Sequence, residues 1–398
     1  MNIQKLLLTF AGVGLLGSLV VRPAQTQTLT VVYPFQGAGS SDGATPGGPL
    51  IHDQSGNVYG TTAYGGDPVC NCGTVFKVDV TGHETVLHRF TGGIDGSGPV
   101  GLVSDSRGNL YGTAANGGDL ACNCGIVFKL DASSGNLVVL HRFGRGVDGQ
   151  RPGGGVIRDS RGNLYGTTYT GGVSINCSGI GCGTVFRVDS NGHESVLYNF
   201  TGGADGAFPE SALVQDASGN LYGTTLYGGN SCSDPLGCGT VFAVDLFGHE
   251  TVLHRFTGGA DGIYPYAGLV RDSNGDLYGT ASGGGTTGNG TIFMLDADRK
   301  LNVLYTFEGG ADGQYPYGEL LRDSTGNLYG TTANGGVGNY SYGTVFKFNG
   351  EHTVLHSFTG ADGAHPNGRL TTDPAGKVFG TAASGGAFGY GTLFLLTP

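Results

Sequence analysis

The triplet Y/F-G-T recurs seven times in this chain of 398 residues, and its spacing constrains the fold more than any other feature. The intervals between successive triplets are 52, 54, 57, 56, 51 and 50 residues. The triplets begin at Tyr59, Tyr111, Tyr165, Tyr222, Tyr278, Tyr329 and Phe379. A period of this length is typical of β-propeller blades. The spacing therefore predicts one large repeat domain, although the length alone would suggest two or three domains.

Each repeat unit contains four short runs rich in Leu, Val, Ile, Tyr, Phe or Thr, bounded by Gly, Asp, Asn or Ser. In the fifth unit these runs are Gly268–Asp272, Asp276–Ala281, Gly290–Asp296 and Leu301–Phe307. Runs of this kind predict β-strands, and no helical period of useful length follows the N-terminal segment. We therefore predict an all-β protein with four-stranded blades, in which recurring Tyr and Phe side chains fill the core between blades.

The two ends of the chain complement each other. The last unit stops after its third run and lacks a fourth, whereas Leu29–Phe35 near the N-terminus matches a fourth run. Pairing these segments would remove the open sheet edges of an unclosed ring. The predicted fold is a seven-bladed β-propeller in which the N-terminal strand closes the last blade, and residues 27–398 form its single domain.

Residues 1–26 are predicted to be a secretory signal peptide. Lys5 precedes Leu6–Val21, an apolar run of 16 residues, and a membrane span needs about 20 residues. We expect cleavage between Ala24 and Gln27, with retention as an uncleaved anchor as the alternative. A secreted, periplasmic or cell-surface location follows from this interpretation.

The eight cysteines lie in pairs within one type of loop. An even number, paired spacing and an export signal favour disulfides. Zinc is the alternative, because C-x-C can ligate a metal, but the pairs lie in separate units. The candidate disulfide residues are Cys70 and Cys72, Cys122 and Cys124, Cys177 and Cys182, and Cys232 and Cys238.

Charge and loop composition limit the partners and cofactors that we expect. The formal net charge is −11, with only 13% charged residues, and an acidic protein repels phosphate backbones, so nucleic acid is not expected as a partner. No cofactor is predicted. Recurring Asp-Gly loops leave calcium open, although the D-x-D-x-D-G spacing is absent and a role in turns is favoured. A monomer is expected.

Three motifs in the units resemble a known repeat family. They are L-Y-G-T-T-x-x-G-G, G-T-V-F-K and V-L-x-x-F-x-G-G-x-D-G, and they recur over about residues 28 to 398. They are similar to the tandem repeats named after Gloeobacter and Verrucomicrobia, the GloVer repeats of choice-of-anchor proteins. The resemblance implies an exported bacterial surface protein and brings no known activity with it.

Functional residues are expected where the repeat symmetry is broken, because a residue that recurs in every blade is structural. The asymmetry lies in the crossovers, the segments that join the fourth strand of one unit to the first strand of the next. Arg145 and Arg151 add charge to the crossover of the third unit. The candidate ligand-binding residues are Phe208, Glu210, Tyr264, Tyr266, Tyr315, Tyr317, Glu319, His365 and Arg369. Aromatic rings beside charged groups suit a sugar or a peptide, although packing over the crossover prolines would also explain the rings.

Two classes of function remain open at this point. The first is an exported binding or scaffold module with a glycan or protein ligand at the crossover-loop face. The alternative is an extracellular lyase or hydrolase that acts at the channel mouth. Convergence of His, Glu or Arg side chains on one non-repeated spot would favour the enzyme. The sequence alone predicts neither catalytic residues nor metal ligands.

Overall fold

The computed structural model describes residues 27–397, apart from Arg145, Ser231, Ser233, Asn339, Tyr340 and Pro374. The predicted signal peptide and Arg145 therefore lie outside the described residues. Within these residues the chain forms 28 β-strands and two short 3-10 helices, Ala38–Ser40 and Gly310–Asp312. The strands make seven four-stranded antiparallel sheets in a ring, which confirms the predicted seven-bladed β-propeller.

The strands follow chain order within each blade, from the first strand to the fourth. Blades one to three consist of β2 (Gly43–His52), β3 (Val58–Gly65), β4 (Thr74–Val78), β5 (Glu84–Arg89); β6 (Ser97–Ser104), β7 (Asn109–Asn116), β8 (Ile126–Asp131), β9 (Leu137–Arg142); and β10 (Gln150–Arg158), β11 (Leu164–Thr170), β12 (Thr184–Val188), β13 (Glu194–Asn199). Blades four and five consist of β14 (Val214–Gln215), β15 (Leu221–Thr225), β16 (Thr240–Val244), β17 (Glu250–Arg255); and β18 (Val270–Arg271), β19 (Leu277–Ala281), β20 (Thr291–Leu295), β21 (Leu301–Thr306). Blades six and seven consist of β22 (Leu321–Arg322), β23 (Leu328–Thr332), β24 (Thr344–Phe348), β25 (His352–Ser357); and β26 (Thr371–Thr372), β27 (Val378–Ala382), β28 (Thr392–Thr397), β1 (Thr28–Pro34).

The N-terminal strand completes the seventh blade, as the ends of the sequence predict. β1 pairs antiparallel with β28, from Thr28 opposite Thr397 to Pro34 opposite Thr392. The Phe35 side chain that follows β1 is fully buried and packs edge-on against Phe76 of the first blade, with ring centroids 5.0 Å apart. The first strand of the chain therefore seals both the last blade and the seam between the last and first blades.

Phenylalanine pairs hold neighbouring blades together around the ring. The Phe that ends the outer strand of one blade packs edge-on against the Phe of the third strand in the next blade, as in Phe256 with Phe293 at 5.2 Å. The glycine of each Y-G-T triplet lies beneath the third-strand ring, and a Cβ on Gly223 would lie 2.7 Å from the Phe242 ring. The recurring triplet is therefore a packing device for the blades.

The tyrosines of the triplets have a second role that the core prediction did not include. The Tyr222 hydroxyl donates a hydrogen bond of 3.0 Å to Asp216, and Asp216 also accepts from the backbone N–H groups of Ser218 and Asn220. Tyr222 is only half-buried, which lets its hydroxyl reach this turn. This carboxylate organises the turn between the first two strands of its blade, as Asp does in such turns.

The first strands divide the ring into two parts. β2, β6 and β10 contain 10, 8 and 9 residues and extend back into the crossovers, whereas β14, β18, β22 and β26 contain two residues each. In blades four to seven the crossover makes an isolated bridge, such as Ala207 with Tyr227, and then leaves the sheet. The crossovers that enter these four blades are therefore free to shape a surface at one end of the channel.

Candidate functional site

A cavity of about 430 Å³ lies where these crossovers surround one end of the central channel. Five of the nine predicted ligand-binding residues line it: Glu210, Tyr266, Tyr317, Glu319 and Arg369. A second cavity of about 270 Å³ continues into the channel, and Glu319 and Arg369 line both cavities. We call the first the mouth cavity. Its volume lies in the range of about 300–1,000 Å³ that small-molecule sites occupy.

The repeat explains why functional side chains collect on one side of this cavity. Glu210, Tyr266, Tyr317 and Asn367 each follow the crossover proline of blades four to seven, and all four line the cavity. The corresponding residues of blades one to three are Gly47, Val100 and Gly153. One half of the mouth therefore carries polar and aromatic side chains, and the other half is small and apolar.

Glu319 and Arg369 form an ion pair at the junction of the two cavities. The Arg369 Nη1 atom lies 3.0 Å from Oε1 of Glu319, and the side chains are 39% and 12% exposed. Burial raises the pKa of Glu319, and the Arg369 guanidinium partly opposes this shift. Gly268 leaves room for the carboxylate, because a Cβ there would lie 2.8 Å from Oε2 of Glu319.

Glu210 is the second carboxyl group of the mouth cavity. Burial raises its pKa, while the Tyr266 hydroxyl and the more distant Arg151 guanidinium lower it. The same carboxylate raises the pKa of Tyr266, after the larger effect of burial. Gly153 of the neighbouring blade accommodates the side chain, since a Cβ there would lie 3.0 Å from Cγ of Glu210.

Two tyrosine rings present partly open surfaces to the mouth cavity. The rings of Tyr266 and Tyr317 are nearly perpendicular, with an interplanar angle of 73° and centroids 5.5 Å apart. The side chains are 37% and 36% exposed. Tyr315 stacks against Tyr317 at 6.5 Å and supports it from one side. Together with Glu210, Glu319 and Arg369, these rings can stack on an apolar surface of a ligand and hydrogen-bond its polar groups.

The remaining candidates, Phe208, Tyr264, Tyr315 and His365, do not line the mouth cavity. Each precedes a crossover proline and has a left-handed backbone, with φ between 53° and 59°. Their backbone N–H groups donate to the preceding blade, as Phe208 does to the Cys182 carbonyl at 2.8 Å. This conformation turns their side chains toward neighbouring loops. Phe208 packs against Tyr169 at 5.0 Å, and His365 Nδ1 lies 2.9 Å from the Ala333 carbonyl.

The sequence did not indicate Asn367 or the two buried threonines Thr331 and Thr381. In other blades the equivalent threonine bonds to the next blade: the Thr224 hydroxyl donates to the Ala267 carbonyl at 2.9 Å, and the Thr167 hydroxyl donates to the Ser211 carbonyl. The equivalent hydroxyls of Thr331 and Thr381 are buried, with no hydrogen-bond partner among the described residues. These are the threonines of the two blades whose crossovers carry Glu319 and Arg369. Aligning the residues after each crossover proline would have identified Asn367.

The cysteines are paired within their own loops. The bonds are Cys70–Cys72, Cys122–Cys124, Cys177–Cys182 and Cys232–Cys238. The backbone carbonyl of the second cysteine accepts a hydrogen bond from the next crossover, at 2.8 Å from Phe208 and 3.0 Å from Tyr264. Each bonded loop therefore supports the crossover of the following blade.

Neither a metal cluster nor a membrane-spanning helix occurs in the described part of the chain. No three or more His, Cys, Asp or Glu side chains within it are grouped so that they could hold a metal ion. The sequence left calcium open, and no site is assigned to it here. Between residues 27 and 397, no described helix has the length and hydropathy to cross a membrane.

The chain matches the model of a known repeat family. The Gloeobacter/Verrucomicrobia repeat matches residues 11–180, 47–268 and 231–398, which together extend over nearly the whole chain. No curated protein sequence matches the chain significantly.

Solved structures with similar folds include extracellular domains and enzymes. The extracellular domain of a protein assigned as a hybrid two-component system from B. thetaiotaomicron has a TM-score of 0.57 at 12% identity, over 93% of this chain and 42% of that chain. An oligogalacturonate lyase from Vibrio parahaemolyticus has a TM-score of 0.55 at 12% identity, over 92% and 93% of the two chains. An oligogalacturonate lyase in complex with manganese has a TM-score of 0.56 at 12% identity, over 93% and 92%. At these identities the similarity shows the fold alone.

Proposed function

Since the chain belongs to the family of Gloeobacter/Verrucomicrobia repeat proteins and its functional asymmetry lies at the channel mouth, we propose that it is an extracellular binding module for a glycan. One observation carries this proposal. Tyr266 and Tyr317 expose ring surfaces in the same cavity as Glu210, Glu319 and Arg369, and the first three blades have small or apolar residues at the corresponding positions. Blades one to three form the same four-stranded sheets without these side chains, so the side chains are available to a ligand.

The chemistry of the mouth cavity suits a sugar. A pyranose ring has an apolar surface of C–H groups that stacks on an aromatic ring, and hydroxyl groups at its edge that need donors and acceptors. Tyr266 and Tyr317 supply the rings. Glu210, Asn367 and Arg369 supply acceptors and donors in the same cavity. The carboxylates and the guanidinium would fix the orientation of the sugar, because bonds to charged groups are the stronger ones.

An extracellular location supports the choice of ligand. The cysteine pairs suit an oxidising compartment. A similar fold forms the extracellular domain of the B. thetaiotaomicron protein. A glycan at the cell surface or in the surrounding medium is then within reach of the mouth cavity.

A glycan array probed with the purified protein tests the proposal. We expect binding to a restricted set of oligosaccharides, and we expect Arg369→Ala to reduce it while the variant remains folded. Retention of proteins from a culture extract, with no binding to any glycan, would favour the alternative of a protein-binding scaffold. Failure of both experiments with a folded sample would contradict a binding function at this site.

A second candidate is an extracellular lyase or hydrolase. The observation in its favour is that Glu210 and Glu319 line one cavity beside Arg369, because paired carboxylates and a cation are common catalytic groups. Two oligogalacturonate lyases also share the fold. Release of reducing ends or unsaturated products from polysaccharides, lost in Glu319→Gln, would support this candidate over simple binding.

A further inference from the structure

Glu210 differs from the other carboxylate of the mouth cavity in having no ion-pair partner among the described residues. Oε1 of Glu319 lies 3.0 Å from the Arg369 guanidinium. No nitrogen of a described Lys, Arg or His side chain lies within 4.0 Å of the Glu210 carboxylate. Arg151 acts on Glu210 only at longer range, and its guanidinium lies over the ring of Tyr169 at 5.7 Å. Glu210 is half-buried, and a partly buried carboxylate that faces a cavity without a cation is costly unless a ligand supplies one.

The mouth cavity is negatively charged when both of its carboxyl groups are ionised. Among the described residues that line it, the charged side chains are Glu210, Glu319 and Arg369, which leaves one negative charge after the ion pair is formed. The whole protein is also acidic, with a formal net charge of −11. Both features favour a cationic group over an anionic one at this wall.

The neighbouring rings are suited to the same cation. Tyr266 and Tyr317 pack edge-to-face with centroids 5.5 Å apart. A cationic group would therefore lie against the ring surface that this contact leaves exposed, and both residues remain more than a third exposed. The faces of aromatic rings attract ammonium groups, and the attraction is larger where water is partly excluded. Tyr266 lines the same cavity as Glu210, and the Glu210 carboxylate raises the pKa of Tyr266, after the larger effect of burial.

We propose that Glu210, with the rings of Tyr266 and Tyr317, forms a subsite for a protonated primary amine, and that the bound glycan therefore contains an amino sugar. This inference rests on the proposed glycan-binding function and adds the chemical class of the ligand. The ammonium group donates hydrogen bonds to the Glu210 carboxylate, while the apolar side of the sugar lies against the tyrosine rings. Acetylation of the amine removes its charge, so the N-acetylated sugar should bind less tightly than the free amine.

Calorimetric titration with four ligands tests the subsite. The ligands are a glucosamine tetrasaccharide, its fully N-acetylated form, cellotetraose and a trilysine peptide. We expect the glucosamine tetrasaccharide to bind at least about tenfold more tightly than the N-acetylated form or cellotetraose. In Glu210→Gln this preference should disappear, while binding of the neutral sugars changes little. Glu351→Gln removes an exposed carboxylate from an outer turn and should retain the preference.

The outcomes separate the subsite from the proposed function. Equal affinity for the amine and the N-acetylated sugar, or a preference that persists in Glu210→Gln, would overturn the ammonium subsite while glycan binding stands. Binding of trilysine in preference to every sugar, dependent on Glu210, would overturn the assignment to an amino sugar. Absence of binding to all four ligands by the folded protein would overturn this ligand class, and the glycan array decides the proposed function independently. The comparison of ligands on the unaltered protein does not depend on whether Glu210→Gln folds.

Discussion

The guanidinium of Arg369 lies 3.0 Å from the carboxylate of Glu319, and the two residues occupy the same repeat position in neighbouring blades. Each is the third residue after its crossover proline, a position that holds Ala212 and Gly268 in blades four and five. The ion pair therefore connects blades six and seven at the wall of the mouth cavity. It breaks the repeat symmetry with two adjacent substitutions of opposite charge.

We expect Arg369→Ala to destabilise the protein, because it leaves the Glu319 carboxylate buried without its cation. Leaving a buried polar group without its partner costs about 1–3 kcal/mol. Melting temperature and urea midpoint measure the loss. The double variant Glu319→Ala/Arg369→Ala should recover most of it, and Arg107→Ala, which removes an exposed arginine, should have little effect. Equal losses of stability in the single and double variants would show that the ion pair does not contribute to the stability of the fold.

Replacing Tyr266 and Tyr317 with Ala should reduce ligand affinity at least about tenfold and leave the melting temperature nearly unchanged. Their rings are partly exposed and lie outside the phenylalanine contacts between blades. Asp261→Ala should have the opposite effect, because Asp261 accepts hydrogen bonds from the Thr257 backbone and from His254 at the base of a crossover. We expect it to cost about 1–2 kcal/mol of stability. If the tyrosine variant has a lower melting temperature but unchanged ligand affinity, the two rings serve packing and not binding.

Three half-buried glutamates in the outer strands form a separate group, at the seams between blades. Burial raises the pKa of Glu84, Glu194 and Glu250 to about 7, from an ordinary value of 4.5. Nearby carboxylates add to the shift, such as Asp42 beside Glu84 and Asp205 beside Glu250. Oε1 of each glutamate is buried without a hydrogen-bond partner among the described residues.

These glutamates should make folding less favourable as the pH rises. Each binds its proton more tightly in the folded protein than in the unfolded chain, so its contribution to stability is complete below pH 4.5 and is lost as the pH rises to about 7. We expect the triple variant Glu84→Gln/Glu194→Gln/Glu250→Gln to gain melting temperature relative to the unaltered protein across this interval. The prediction would be contradicted if the difference in melting temperature between the two proteins stayed constant over this pH interval. Glu351→Gln serves as the exposed control.

A truncation that begins at Gly37 should be insoluble or melt far below a chain that begins at Gln27. The truncation removes β1, which leaves β28 unpaired and removes the fully buried Phe35 from its contact with Phe76. Loss of one buried Phe alone costs about 3–5 kcal/mol. Thermal melting and size-exclusion chromatography compare the two chains. Similar melting of both would contradict closure by the N-terminal strand.

Reduction of the disulfides should loosen loops more than it destabilises the fold. The bonds close segments of only 2 to 6 residues, so they restrict the unfolded chain little. Hydrogen exchange of the Phe208 and Tyr264 amides should accelerate on reduction, because their acceptors are the carbonyls of Cys182 and Cys238. Peptide mapping without reductant checks the pairing itself. Eight free thiols in exported protein would contradict the assignment.

The fold could be predicted from the sequence because the same side chains make the same packing contacts in each blade. Gly223 beneath the Phe242 ring, and Phe256 against Phe293, recur around the ring and produce the period. Closure of the ring could also be predicted, because the fourth run that the last unit lacks has a counterpart at Leu29–Phe35. The predicted family membership and the seven-bladed fold are both confirmed.

The candidate site was only partly predictable, because side-chain direction depends on backbone conformation. Phe208 and Glu210 lie on either side of Pro209, yet the left-handed backbone of Phe208 directs its ring toward Tyr169 while Glu210 lines the mouth cavity. Spacing in the sequence does not reveal that difference. The pairing of Glu319 with Arg369 also required the ring geometry, since it depends on two crossovers about fifty residues apart becoming neighbours.

The position of β1 has a consequence for the synthesis of this protein. The first strand of the ring to emerge must wait for the last strand, β28, before it has a partner. A chain interrupted before Thr392 therefore retains an exposed strand edge at each open end, a feature that invites aggregation and proteolysis. Closure of the ring therefore requires that synthesis has reached β28, because only then does β1 have a partner.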